Sequence, residues 1–292
     1  EGNFSCFCIN SLLIVNFIYK WFSKRIVNSG EIMKKLFLIF ILSFLINDHA
    51  SAHSLLESVN SDHRIEKNIL RDKYRNPYET LSFFRIEPEM TIVELSPGRG
   101  WYTEILANFM YDKGRYIVAP YNPNLGGYAE RLWNSYNELL KSNEVYSKVE
   151  TTFLFDKLAE DNSVDAVLTF RNVHNWINNN DENAKKIFKQ SFSALRSGGY
   201  FGIVEHRARK ETSLEDMYKS GYMTEDFVID LAKKAGFLLI DKSEINSNSK
   251  DLKNYPKGVW TLPPSLRLKD EDKSKYLEIG ESDRMTLLFQ KP

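Results

Sequence analysis

Apolar and polar positions change period repeatedly along the chain, and each change marks an element. From His53 to Phe84 the spacing is helical, with Tyr74, Tyr78, Leu81 and Phe84 recurring and Pro77 breaking the run. Thr91 to Leu95 is a strand, and a turn of small residues follows it. Trp101, Ile105, Leu106 and Phe109 share one helical face, with Gly114 at its end. YIVAP then reads as a strand, AERLWNSYNELLKS as a helix, and VETTFLF and VDAVLTF as two strands. IFKQSFSALRSGG is an amphipathic helix expected to stop at Gly198 and Gly199, before the strand YFGIVEH. Thr224 caps the predicted helix EDFVIDLAKKAG, which has acids in its first turn, lysines in its last and Gly236 beyond. FLLIDKSEI and MTLLFQKP close the chain as strands. Strands alternate with helices, so the pattern predicts a Rossmann-like, doubly wound α/β domain with helices on both faces of a mainly parallel sheet. No internal repeat is visible. Asn246 to Lys257 and the stretch TLPPSLR are expected as surface loops.

The N-terminus breaks this pattern. From Met33, the basic pair Lys34-Lys35 leads into an apolar run from Leu36 to Ile46, too short to span a bilayer comfortably. Ala50-Ser51-Ala52 then offers a small-residue cleavage site before His53. These are the parts of a secretory signal peptide, with cleavage expected after Ala52 and export to the periplasm. Residues 1–32 read as an upstream segment outside the domain, 33–52 as the signal and 53–292 as a single domain. A second apolar run, Leu12 to Phe22, keeps a membrane anchor as the alternative; after cleavage no membrane contact is expected.

Composition narrows the function classes. The 292 residues are 42% hydrophobic and 27% charged, ordinary globular values, and formal net charge is zero. Without residues 1–52 the chain holds 34 basic and 36 acidic residues, which points away from a nucleic-acid groove. Its only cysteines, Cys6 and Cys8, are lost with the signal, so thiolates supply no zinc cluster and no metal ion is expected. Nothing in the composition sets the oligomeric state.

Chemistry enters at IVELSPGRG, residues 92–100. In a doubly wound sheet the ligand lies beyond the strands' carboxyl ends, over the first strand–helix turn. A dinucleotide loop needs a third glycine for close helix packing, but Trp101 stands in that slot, which disfavours NAD. S-adenosylmethionine carries no phosphates and needs only close backbone approach. Glu94, Ser96, Gly98 and Gly100 fit an acid-x-G-x-G-x-G loop with one substitution, serine for the first glycine. Pro97 stiffens the turn and removes one amide donor.

The stretches IVELSPGRGWYTEIL, VDAVLTFRNVHNW, SGGYFGIVEHR and ESDRMTLLFQKP, in that order, resemble the class I S-adenosylmethionine-dependent methyltransferases. The resemblance is closest to a bacterial, often exported branch of predicted methyltransferases marked by TFRNVHNW, and it runs from about Asp62 to Pro292. It implies a seven-stranded sheet ending in an antiparallel hairpin, S-adenosyl-L-methionine as cofactor and a small-molecule methyl acceptor. One departure stands out. The family places a ribose-binding acid at the end of strand 2, and here that strand ends APYNPN. Tyr121, Asn122 or Asn124 would have to hydrogen-bond the ribose without charge. Asp156, after strand 3, is a candidate for the adenine amine.

RNVHNW follows strand 4 and should lie at the sheet's carboxyl edge. Methyl transfer requires an aligned nucleophile and, for some acceptors, removal of its proton. His174 is the candidate base, because its ordinary pKa suits proton transfer near neutrality. The alternative is a histidine that caps a turn beside a core Trp176. Asn172 is a candidate cofactor contact, and Arg171, Asn175, Glu205 and His206 are candidate substrate contacts. Trp101 and Tyr102 are expected to wall the cofactor pocket. His63 and Arg64 are read as a solvated helix face or a lid, and Arg284 with Glu281 and Asp283 as a surface ion-pair knot or part of a site. A non-catalytic exported binding protein on the same fold is the rival reading.

Overall fold

The computed structural model describes residues 53–177 and 180–292; the signal segment and the upstream residues lie outside the described part. Seven strands form one sheet: β1 (Thr91–Leu95), β2 (Arg115–Ala119), β3 (Glu150–Thr151), β4 (Val164–Phe170), β5 (Leu195–His206), β6 (Leu238–Ser243) and β7 (Arg284–Gln290). Their order is β3-β2-β1-β4-β5-β7-β6, all parallel except β7, which runs against both β5 and β6. This is the expected mainly parallel sheet with an antiparallel end. The chain builds outward from β1 in one direction and from β4 in the other. The switch point therefore lies between β1 and β4, where such sheets form their ligand crevice.

Alternation along the strands separates two cores. Ile92, Val118, Ala166 and Leu168 face one side; Val93, Ile117, Val167 and Phe201 face the other. On the first side lie the short helices α1 (Leu55–Val59), α2 (Glu66–Ile69), α3 (Asp72–Arg75) and α4 (Pro77–Phe83), with α5 (Thr103–Met110) and α6 (Gly127–Lys141). The second side is covered chiefly by α8 (Glu182–Ala194) and α10 (Glu225–Ala235); α7 (Val173–Trp176), α9 (Leu214–Ser220) and α11 (Lys273–Ile279) are shorter. Leu81, Phe84, Phe188 and Leu287 are wholly buried, each contributing roughly 1.5–3 kcal/mol of burial. Among the described residues no helix is long and apolar enough to cross a membrane.

Local signals set several boundaries. The Thr224 hydroxyl accepts from the Phe227 amide at the start of α10, and Gly236 ends that helix at φ 107°. Other expectations need correction. The helix predicted to stop at Gly198-Gly199 ends at Ala194, and both glycines belong to the 12-residue β5. Long-range pairing decides this: the Gly198 amide donates to Lys291 O, and Gln290 Nε2 donates to Gly198 O. Of VETTFLF only Glu150-Thr151 is strand, because the Leu154 amide turns back to Pro120 O. The two expected surface loops also carry buried anchors. Asn246 donates to Thr80 and Thr286, Asp251 accepts from the Tyr222 hydroxyl and the Asp283 amide, and Thr261 and Leu262 are fully buried.

Candidate active site

Parallel pairing brings the carboxyl ends of β1, β2, β4 and β5 to one edge of the sheet. The antiparallel β7 adds its first residue there, since Arg284 pairs with His206. The loop after β1 is held from both sides. The Ser96 amide donates to Ala119 O at the end of β2. Asn172 Nδ2 reaches Leu95 O at 3.2 Å, Ser96 O at 3.1 Å and Thr169 Oγ1 at 3.1 Å. Asn172, expected at the cofactor, thus directs its amide hydrogens to the loop's own carbonyls and fixes its shape.

The loop's substitutions divide by geometry. Ser96 sits at φ 51°, a left-handed conformation that favours glycine, and its buried hydroxyl has no partner among the described residues. Gly98, at φ 65°, would project a Cβ into open space. Gly100, at φ 83°, would place one 2.1 Å from Leu139 Cδ2 of α6. Gly100 therefore serves helix packing, and Gly98 is the residue whose missing side chain leaves room for a ligand. Trp176 Nε1 is a second buried donor without a well-aligned hydrogen bond; it and the Ser96 hydroxyl lie beside the Tyr121 hydroxyl. The Tyr121 hydroxyl, pushed up to about 12 chiefly by burial, remains protonated and able to donate at neutral pH. Asn122 is committed differently: its Oδ1 accepts from the Asn124 amide at 2.9 Å and caps a short 3₁₀ turn. Asp156 is exposed.

Glu94 is buried on the α5 side of β1 and accepts from the Tyr116 hydroxyl and, at 3.5 Å, from Thr103 Oγ1. Burial raises its carboxyl to about 7 against the opposing pull of those hydrogen bonds and of Arg171. Tyr102 stacks on Phe170 with ring centroids 3.5 Å apart. Trp101 turns toward the N-terminal helices, where Nε1 donates to Asn68 O at 3.0 Å and the Arg75 guanidinium lies 4.6 Å from its ring.

His174 Nδ1 lies 2.9 Å from Glu205 Oε1. A carboxylate can only accept, so Nδ1 carries a proton and donates to Glu205, which leaves Nε2 as the ring nitrogen not engaged by that carboxylate. Glu205 is fully buried and also accepts from the His174 amide at 3.3 Å and the His206 amide at 2.7 Å. It was expected to touch substrate; instead its carboxylate is taken up in orienting His174. His206 Nδ1 is 2.6 Å from Ser282 Oγ, and burial, then His174 and Arg284, hold its pKa well below the ordinary range, so it is neutral. The rings of His174 and His206 lie 5.0 Å apart, and Trp260 flanks His174 at 6.0 Å. Asn175 is exposed and Arg171 half-buried at this edge.

Two expectations fail here. The Arg284–Glu281–Asp283 group is buried, not a surface knot, because Arg71 and Arg75 of the N-terminal segment close over it. Arg64 is buried, not solvated: it pairs with Asp72 at 2.7 Å and lies 3.8 Å from Glu104. Trp260, Ser282, Arg71 and Arg75 join the site from distant parts of the sequence, and no local pattern announces them.

No family model matches the chain. No curated protein matches it either. Solved structures do. A SAM-dependent methyltransferase from Aquifex aeolicus shares 14% identity at TM-score 0.52, covering 82% of this chain and 100% of its own. The chain has the fold of the S-adenosylmethionine-dependent methyltransferases. A protein from Galdieria sulphuraria described as a putative sarcosine dimethylglycine methyltransferase matches at TM-score 0.53 and 14% identity, over 80% of this chain and 90% of that one. The cyclase SpnF matches at TM-score 0.52 and 14% identity, over 82% and 92%. Since one fold includes both methyltransferases and a cyclase, activity must be argued from the site.

Proposed function

We propose that this chain is an S-adenosylmethionine-dependent methyltransferase acting on a small-molecule acceptor, with His174 as general base. The observation that carries the reading is the His174–Glu205 pair, set at the sheet edge that also bears the Ser96–Gly100 loop. S-adenosylmethionine, when bound, supplies an electrophilic methyl group. The residues fit that cofactor. Gly98 leaves open space beside the loop, Ser96 Oγ and Trp176 Nε1 are buried polar atoms grouped at the Tyr121 hydroxyl, and Glu94 is a buried acid suited to a cationic ligand. Tyr121 replaces the ribose acid with a neutral hydroxyl. Glu205 fixes the His174 tautomer, and His174 Nε2 would take the proton of an acceptor aligned at this edge; the bound cofactor would supply the methyl group and leave as S-adenosylhomocysteine. The reading includes export, with the mature chain starting at His53; N-terminal sequencing of exported protein checks this, and a retained apolar N-terminus contradicts it.

The test of the base role is His174→Ala. It should keep cofactor affinity and slow S-adenosylhomocysteine formation by about 10²–10⁴-fold. A purely structural histidine would instead lower the melting temperature, with activity tracking the folded fraction. Full turnover by the folded variant refutes the base role. Bound cofactor without turnover on any acceptor would turn the reading toward a binding protein.

A further inference from the structure

Four guanidiniums gather around Glu281, close to His206, whose ring lies 5.0 Å from that of His174, with little to balance them. Arg71 Nε lies 2.6 Å from Glu281 Oε1, Arg75 Nε 3.3 Å from Glu281 Oε2, and Arg284 Nη2 bonds the same carboxylate. Arg171, directly after β4, meets Glu281 only through space. One carboxylate thus serves four cations. The side chains of Arg75, Arg284 and Glu281 are each only 2% exposed. Nitrogens remain over: Arg71 Nη2, Arg75 Nη1 and Arg284 Nε are buried without a hydrogen-bond partner among the described residues. Buried donors of this kind are costly unless a ligand satisfies them.

The charges cannot simply be neutralised. A guanidinium resists deprotonation, and Arg171, though lowered to about 10 by burial and Arg284, stays charged at neutral pH. Burial alone would raise the Glu281 carboxyl, but Arg284, Arg75, Arg171 and Arg71 hold it far below the usual range, so it is already ionised. The nearby histidine His206 contributes no charge. Glu94 and Glu205 are the other buried acids at this edge beside Asp283, which is taken up by Arg207 and Lys253. Counting both as ionised, four cations face three anions. S-adenosylmethionine adds a sulfonium and an ammonium against one carboxylate, a further net positive charge. The loaded site would carry an excess of about two positive charges in a poorly solvated space, where such charges are expensive.

We propose that the methyl acceptor is an anion, whose phosphate or carboxylate oxygens lie on Arg171, Arg284, Arg75 and Arg71 beside His174. The planar guanidinium fork suits both groups. The proposal rests on the methyltransferase reading for the word acceptor, but the anion site stands on its own geometry.

The test is calorimetric titration of the full chain with pyrophosphate, with citrate and with S-adenosylhomocysteine, each alone and in pairs. One anion should bind per chain, saturably and with salt sensitivity; which probe binds tighter separates phosphate from carboxylate. Arg171→Gln should weaken the anion at least tenfold and leave S-adenosylhomocysteine within about twofold. Should Arg171→Gln fold poorly, Arg171→Lys should retain binding with reduced affinity, and the wild-type titrations already decide whether the site exists. Saturable binding of neither anion overturns the proposal. So does binding untouched by Arg171→Gln. Loss of S-adenosylhomocysteine binding in Arg171→Gln, with no anion bound beside the cofactor, would assign the cluster to the cofactor's own carboxylate and also overturn it. Failure of S-adenosylhomocysteine to bind wild type would count against the methyltransferase reading and leave the anion result to be judged separately.

Discussion

Replacing Glu94 by glutamine should make the empty chain more stable and cofactor binding weaker. Burial raises this carboxyl from 4.5 to about 7 in the folded protein. The sign follows from proton counting. Below pH 4.5 both folded and unfolded forms hold the proton, and the group has no effect. Between pH 4.5 and 7 the unfolded chain releases it while the folded chain keeps it, so wild-type stability falls as pH rises. Above pH 7 the loss is complete, at roughly 3 kcal/mol for a shift of this size. Glutamine does not titrate, and its Oε1 can still accept from Tyr116. The stability difference between Glu94→Gln and wild type should therefore grow by about 3 kcal/mol from pH 4.5 to 8. Urea unfolding at several pH values measures it, free of any fixed packing cost. A cationic ligand favours the ionised carboxylate, so S-adenosylmethionine should bind wild type with proton release and lose up to about tenfold in affinity per pH unit below 7. Glu94→Gln should weaken binding about tenfold or more and abolish that pH dependence. A stability difference that is flat with pH would refute the raised pKa. A flat binding profile would remove Glu94 from the cofactor site.

Four further substitutions separate loop, packing and base. Gly98→Ala should cost about 1–2 kcal/mol of backbone strain yet stay folded, and should weaken S-adenosylhomocysteine binding, because its Cβ enters open space; unchanged affinity would exclude that space from the site. Gly100→Ala should destabilise by about 1–3 kcal/mol through its left-handed backbone and the Leu139 contact, and combined with Leu139→Ala it should cost less than the sum of the two single changes, measured by melting. Ser96→Gly should be neutral or stabilising by up to about 1 kcal/mol, since it relieves a left-handed serine and removes an unpartnered hydroxyl; clear destabilisation would show the hydroxyl has a partner. Glu205→Gln should lower kcat with little change in KM, as His174 loses its tautomer preference, and equal loss of activity and folded fraction would make the pair structural.

The fold was legible because its signals are local and repeated. Apolar spacing placed β1, β4 and most helices, and Thr224 and Gly236 bounded α10. Gly198-Gly199 misled because glycine stops helices in isolation, whereas here the tail of β7 pairs with that segment. At the site, His174 and Glu205 were both found, but as two separate contacts; their pairing spans 31 residues and depends on β4 lying beside β5. Gly98 and Gly100 look equivalent in the sequence, and only the position of Leu139 distinguishes them. Arg284 read as a surface ion pair because Arg71 and Arg75, more than 200 residues away, supply the cover.

The central claim is that the edge formed by the Ser96–Gly100 loop and His174 binds S-adenosylmethionine. Calorimetric titration of the chain with S-adenosylmethionine and, separately, with NADH tests it most directly. One site per chain is expected for S-adenosylmethionine, weakened by Gly98→Ala, with no saturable binding of NADH. Saturable NADH binding with none for S-adenosylmethionine would contradict it.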